Sequence, residues 1–421
     1  MNIREIRSDR IGESYYEIDH PTGLKIFVYP KEGYNSTYAI FGTHYGSIHN
    51  SFRKDHSDVI SVPDGIAHFL EHKLFECEEG DAFARFAKTG ANANAYTSFD
   101  KTCYLFSCTD HFEESFEILL DFVTKPYFTD ETVQKEQGII GQEIKMYDDS
   151  PEWCCMFNML SKMYEHHPVR IDIAGTVDSI AKITPDYLYS CYNTFYNLNN
   201  MVLCVVGKVD VDTVLSIADR MLKKSKDSTV ESFFEEEPKG VSDSFVEQKM
   251  PVGLPLFNFG FKESSERLLS TEEIAYTDIL LVMLASQNSP MYRDLLDSGL
   301  INSSFAHEFF EGDGFAVTIF SGESRKPEEA AEMIKDYVRK AHEEGLSKED
   351  FEIAKRAVYG ENLSAFNSVA AIANTMVDHY FSDREIYAYL EAVANAEFTD
   401  IQDRLSKMMN EEYAVLSVVR S

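Results

Sequence analysis

The chain has 421 residues, a formal net charge of −32, 44% hydrophobic residues and 13% aromatics. That length exceeds one ordinary core and suits two domains of roughly 200 residues each. The charge argues against nucleic acid and anionic membrane surfaces as partners, and leaves a neutral or cationic peptide as a compatible one.

The opening stretch, MNIREIRSDRIGESYYEI, is charged and has no apolar signal-like core, and no apolar run approaches 18 residues. A cytoplasmic protein is expected. YYEIDHPTGLKIFVYP and STYAIFGTHYGSI read as strands broken by turn residues, and PDGIAHFLEHKLF follows as a buried helix. GDAFARFAKTG is a helix stopped by Gly90, ANAYTSFDKTCYLFSC alternates as two strands, and HFEESFEILLDFVTKP is an amphipathic helix ended by Pro126. The helix TDETVQKEQGIIGQEIKMYDD opens on Thr129 as its N-cap. TPDYLYSCYNTFY (helix), NNMVLCVVG (strand) and a helix running to Lys224 close this half.

Residues 224–244 carry charge, Ser, Pro and Gly without periodicity and read as a linker. Beyond it the order of signals recurs. A strand (GLPLFNFGFKES) precedes two helices (EEIAYTDILLVMLAS, then PMYRDLLDSGL stopped by Gly299), a strand pair (AHEFFEGDGFAVTIFSG), two more helices between 328 and 363, and a terminal strand (EEYAVLSVVRS). A shift of roughly 210–218 residues aligns Gly90 with Gly299, Phe128-Thr129 with Leu346-Ser347, Glu143 with Glu361 and Thr184 with Thr399. The expectation is an α+β protein of two homologous domains, 1–223 and 245–421. The second lacks any counterpart of the histidines in the first. The seven cysteines are odd in number, contain no C-x-x-C pair and read as free thiols. His166-His167 before Pro168 read as an exposed loop.

His68 and His72 stand four apart, so their imidazoles share one helix face and one metal ion could bridge them. Glu71 points to the same side, where it could activate a water, while Phe69, Leu70, Leu74 and Phe75 demand burial. Chance would supply roughly 0.03 H-x-x-E-H matches in such a composition. A hydrolytic zinc site needs a third protein ligand and an open position. Glu136 and Glu143, seven apart on one helical stripe, offer that ligand and a second group to fix an imidazole, in either order.

These motifs resemble those of the pitrilysin, insulin-degrading enzyme and mitochondrial processing peptidase superfamily, whose signature is the inverted H-x-x-E-H. GIAHFLEHKLF, GANANAYTSFDKTCYLF and KEQGIIGQEI follow the superfamily's order, and the repeated architecture extends the likeness over nearly the whole chain, closest to small bacterial processing proteases. The resemblance implies two domains, each a mostly antiparallel sheet flanked by helices, forming a clam-like chamber. It implies one Zn2+ per chain held by His68, His72 and Glu143, with Glu71 as general base and Glu136 in support. A His2Glu site also accepts manganese or cobalt.

It further implies that Asn94, Ala95 and Tyr96 form an edge strand to which a peptide substrate adds. The implied activity is a zinc endopeptidase acting on peptides or unfolded segments. The superfamily's Arg/Tyr pair, seven residues apart in the second domain, is incomplete, because Arg293 is followed at that spacing by Leu300. That departure leaves open a homodimer, or a heterodimer with a related chain that carries the full pair, and a non-catalytic or partner-dependent subunit as the alternative function.

Overall fold

A computed structural model of the chain describes residues 1–78, 80–226, 228–263 and 266–421. The chain divides into two compact units. The first contains Met1–Ile144, Asp172–Phe233 and Ala365–Asp383, and the second Lys145–Ile171, Phe234–Ser364 and Arg384–Ser421.

The first unit is built on a seven-stranded sheet of β1 (Asn2–Ser8), β2 (Glu13–Asp19), β3 (Lys25–Pro30), β4 (Thr37–Thr43), β5 (Asn92–Thr97), β6 (Thr102–Cys108) and β7 (Met201–Gly207). Their spatial order is β1-β2-β3-β7-β4-β6-β5, with every pair antiparallel except β3 and β7. The charged opening stretch forms an edge strand, and Arg4 crosses to Glu17 at 2.7 Å. Helices α1 (Ile66–Leu74), α2 (Ala82–Thr89), α3 (Phe112–Thr124) and α4 (Asp130–Asp148) follow the sequence expectation closely. Thr129 Oγ1 accepts the Thr132 N–H at 3.2 Å, as an N-cap should.

The second unit carries a five-stranded sheet. Its strands are β8 (Phe245–Lys249), β9 (Leu256–Lys262), β10 (Ala306–Gly312), β11 (Phe315–Glu323) and β12 (Ala414–Arg420), in the order β8-β12-β9-β11-β10. Only β8 and β12 run parallel. This order repeats β3-β7-β4-β6-β5 of the first unit, strand for strand. The unpatterned stretch 224–244 is less idle than its composition suggests, since Val230–Ser232 pairs antiparallel with residues 52–54.

Each unit borrows one helix from the opposite half of the sequence. In the second unit, α5 (Pro151–Met163) lies on β8, β12 and β9, with the Cys155 thiol donating to the Ser417 carbonyl at 3.4 Å. In the first unit, α12 (Val369–Phe381) lies on β7 and β4. (Between them come α6 at Pro185–Phe195, α7 at Val211–Met221, α8 at Thr271–Ala285, α9 at Pro290–Asp297, α10 at Pro327–Glu344 and α11 at Lys348–Ala365.) A glycine marks each seat. A Cβ at Gly42 would stand 3.2 Å from Val377 and Phe381, and one at Gly260 only 2.6 Å from Met159 and Met163. Polar bonds then fix α12: Lys101 Nζ reaches Asp378 at 3.1 Å, and Tyr96 Oη donates to Asn374 at 3.1 Å.

His167, expected in an exposed loop, is 1% exposed, whereas His166 is at the surface. Its Nδ1 accepts the Val169 N–H at 3.1 Å and its Nε2 sits 2.8 Å from the Asp313 carbonyl, an arrangement that suits only the neutral Nε2–H tautomer. Burial drives its pKa down to about 4. Because the folded value lies below the ordinary 6.5, the contribution is present above pH 6.5 and lost as pH falls toward 4. Acidification from pH 7 to 4 should therefore cost about 3 kcal/mol from this group alone. Urea unfolding of wild type and His167→Gln at both pH values checks this. Equal pH slopes would show that His167 does not carry the effect.

Candidate active site

Helix α1 starts at Gly65, whose φ of 85° is left-handed and whose absent Cβ makes room for the Ala174 carbonyl, 2.3 Å from where that atom would stand. The helix is buried almost all round: Phe69 and Leu70 are fully buried, and so is Lys73, whose ammonium pairs with Glu76. His68 and Glu71 are each 8% exposed, so two titratable groups are held where water scarcely reaches. The imidazoles of His68 and His72 lie 4.6 Å apart, ring centre to ring centre.

Helix α4 brings both of its glutamates to this pair. Glu143 faces the two imidazoles together, with Oε1 3.7 Å from His68 Nε2 and Oε2 3.4 Å from His72 Nε2. Glu136 instead takes the other side of His72, its Oε1 3.0 Å from Nδ1. Burial and the neighbouring His72 push the His68 pKa down to about 3. For His72 burial acts downward too, but the Glu136 hydrogen bond and the charges of Glu71 and Glu143 outweigh it and the pKa rises. Glu71 is raised by burial, partly opposed by the Thr97 hydroxyl, which donates to its Oε2 at 2.7 Å.

This donor set fits a divalent ion. One ligand atom each from His68, His72 and Glu143 lie within 4.8 Å of one another. Two ligands about 2.0–2.1 Å from a tetrahedral zinc stand roughly 3.4 Å apart, near the observed donor separations and too far for good direct hydrogen bonds. His68 Nδ1 is buried with no hydrogen-bond partner among the described residues, so a second N–H on that ring would have no acceptor.

Asn94 and Ala95 sit on β5, the outer strand of its sheet, and share with Glu71 and His72 a cleft of about 730 Å3. The Ala95 N–H is bonded by the Asn94 side chain at 2.9 Å. Tyr96 is on the same strand, but its ring turns to Asn374 of α12. Arg293 belongs to the second unit, exposed on α9, with Nε 3.4 Å from the Ser289 carbonyl of its own helix. Leu300 and Tyr292 are both buried in that unit's core. The sequence reasoning did not single out Thr97 as a partner of Glu71, nor Phe75, Phe83 and Tyr127 as cleft walls. Thr97 closes the quoted NAYT segment and was the one findable signal.

A repeated α+β sheet unit and a buried H-x-x-E-H helix met by a glutamate helix define an inverted-zincin type of metallopeptidase fold. Comparison with known proteins agrees. Residues 61–177 match the family described as Insulinase (Peptidase family M16), and residues 182–358 match the Peptidase M16 inactive domain. The chain is 41% identical over 408 residues to the uncharacterized zinc protease YmfH of Bacillus subtilis (strain 168), covering 95% of each. A putative M16-like peptidase from Alicyclobacillus acidocaldarius superposes with a TM-score of 0.92 at 34% identity, covering 100% of this chain and 98% of that one. A protease from Helicobacter pylori shares the fold, with a TM-score of 0.83 at 18% identity over 97% and 99%. The chain belongs to the M16 peptidase family, among its small bacterial members.

Proposed function

We propose that this protein is a zinc-dependent endopeptidase that cleaves peptides or unfolded segments laid in extended form along β5. The observation that carries the reading is the convergence of His68, His72 and Glu143, with Glu71 tied to the end of the edge strand through Thr97. A zinc ion held by His68, His72 and Glu143 would supply Lewis-acid polarisation of the scissile carbonyl.

The protein's own groups do the rest. The outer edge of β5 offers backbone donors and acceptors to an added strand. Glu71, fixed in place by the Thr97 hydroxyl, accepts a proton from the attacking water and returns it to the leaving nitrogen. Glu136 holds the His72 ring through Nδ1 and so leaves Nε2 facing Glu143. Seven unbridged cysteines support residence in a reducing cytoplasm, and no described helix is long and apolar enough to cross a membrane.

Elemental analysis of the purified chain is expected to give one zinc per chain, lost in His68→Ala and His72→Ala. Cleavage of a quenched-peptide library should vanish with chelator and return with zinc. A chain without metal would overturn the reading. A second reading, an M16 subunit that needs a related chain with a complete Arg/Tyr pair, is favoured by the burial of Leu300 and Tyr292 beside Arg293. One zinc without cleavage by the isolated chain would establish it.

A further inference from the structure

Helices α1 and α4 carry the whole candidate ligand set, and α1 packs chiefly on β5, β6 and α6. Its register against α4 therefore falls to side chains. One tie is the bond between His72 and Glu136. A second runs beside it through groups that hold no metal. Lys73, the residue after His72, is fully buried, and Glu76 is its acceptor among the described residues. Lys135, the residue before Glu136, faces the same carboxylate at 3.8 Å. The two lysines use different oxygens, Lys73 meeting Oε2 and Lys135 facing Oε1. Glu76 is itself held in place, since it pairs with Asp81, the N-cap of α2, in a short antiparallel ladder.

We infer that Glu76 is a positioning residue, which holds α1 and α4 in register through Lys73 and Lys135 and so raises the affinity of the chain for zinc. The inference rests on the zinc reading and adds what presets the site. A fully buried ammonium is costly to strand, so Lys73 keeps Glu76 beside the last turn of α1. Glu76 then offers its other oxygen to α4, next to the carboxylate that orients His72. Donors already held close lose less freedom when an ion arrives. The arrangement separates position from charge by sign. If charge alone mattered, removing the Lys135 ammonium near a cation site would tighten zinc binding. If register matters, the same removal weakens it.

The test reads metal affinity and fold separately. Zinc dissociation constants are measured on full-length chains by competition with a chromogenic chelator, and the metal-free chains are melted in parallel. Glu76→Gln alone would strand the Lys73 ammonium, so it is combined with Lys73→Met, which removes both charges at once. This double variant should melt near wild type and bind zinc about tenfold more weakly. Lys135 is exposed, so Lys135→Met should leave melting unchanged and weaken zinc binding about threefold. Adding Lys135→Met to the double variant should weaken binding no further, because the tie is already broken. If the double variant does not fold, Lys135→Met decides alone. Wild-type affinity in the folded double variant, or unchanged or tighter binding by Lys135→Met, overturns the inference and leaves the zinc reading standing. A loss of affinity only where melting also falls marks a general loss of fold and overturns it too. A wild-type chain that binds no zinc removes the zinc reading and the inference with it.

Discussion

Glu71→Gln is expected to lower kcat/KM by about 10²–10⁴-fold while the chain keeps its full zinc content. The separation of the two readouts follows from position. The three donors that converge are on His68, His72 and Glu143, whereas Glu71 turns to Thr97. A glutamine there still accepts the Thr97 hydroxyl through its amide oxygen, so the local hydrogen bond survives. It also replaces a carboxyl group whose ionisation burial opposes, so thermal stability should hold or rise. Peptide cleavage, metal analysis and a melting curve on one preparation are sufficient. Cleavage at the wild-type rate would remove Glu71 from the reaction, and loss of zinc would place it among the ligands.

The second large effect concerns folding. A chain ending at residue 244 is expected to show no cooperative melting transition, although it retains all five residues of the H-x-x-E-H and glutamate set. The first unit would lose α12, which buries Ile372, Met376 and Val377 to 3% exposure or less. At about 1.5–3 kcal/mol for each such side chain, the loss is roughly 4–9 kcal/mol. Lys101 would lose its bond to Asp378, and the sheet face around Gly42 and Cys204 would be bared. Net stabilities are only about 5–15 kcal/mol, so the deficit consumes most of it. Near-ultraviolet circular dichroism and a thermal melt of residues 1–244 decide the matter. A sharp transition near that of the full chain would show that α12 is dispensable.

The borrowed helices also mark where sequence reasoning ran out. The repeat was legible because strand order and the stops at Gly90 and Gly299 recur in the letters. α5 too drew no assignment, although Ser150 and Pro151 mark a helix start; the Ser150 side chain accepts the Trp153 N–H. Its partner sheet carried no signal at all. Periodicity tells which face of a helix is buried, never against which sheet, so a continuous domain of residues 1–223 was the natural reading of a chain whose units are discontinuous. The same limit applied to α12, in a stretch that drew no assignment at all.

At the candidate site, local spacing sufficed to put His68, Glu71 and His72 on one helix. The spacing of Glu136 and Glu143 put both on one stripe but could not order them. Their different sides of the His72 ring come from how α4 crosses α1. The cleft walls were beyond reach because Phe75, Phe83 and Tyr127 come from separate elements and meet only in three dimensions.

The exchange of helices has a consequence for how a ribosome makes this protein. The last strand and the last connecting segment of the first unit have emerged by residue 233, yet the helix that seals its sheet begins after residue 365, some 132 residues later. At about 5–20 residues per second, that interval lasts roughly 7–26 s. Throughout it the nascent chain carries an uncovered apolar sheet face, together with α5 waiting for strands not yet made. Holding chaperones therefore have a defined window in which to act. A premature stop before residue 369 would remove the helix that seals the sheet beside the candidate site, although His68, His72 and Glu143 are all translated before residue 150.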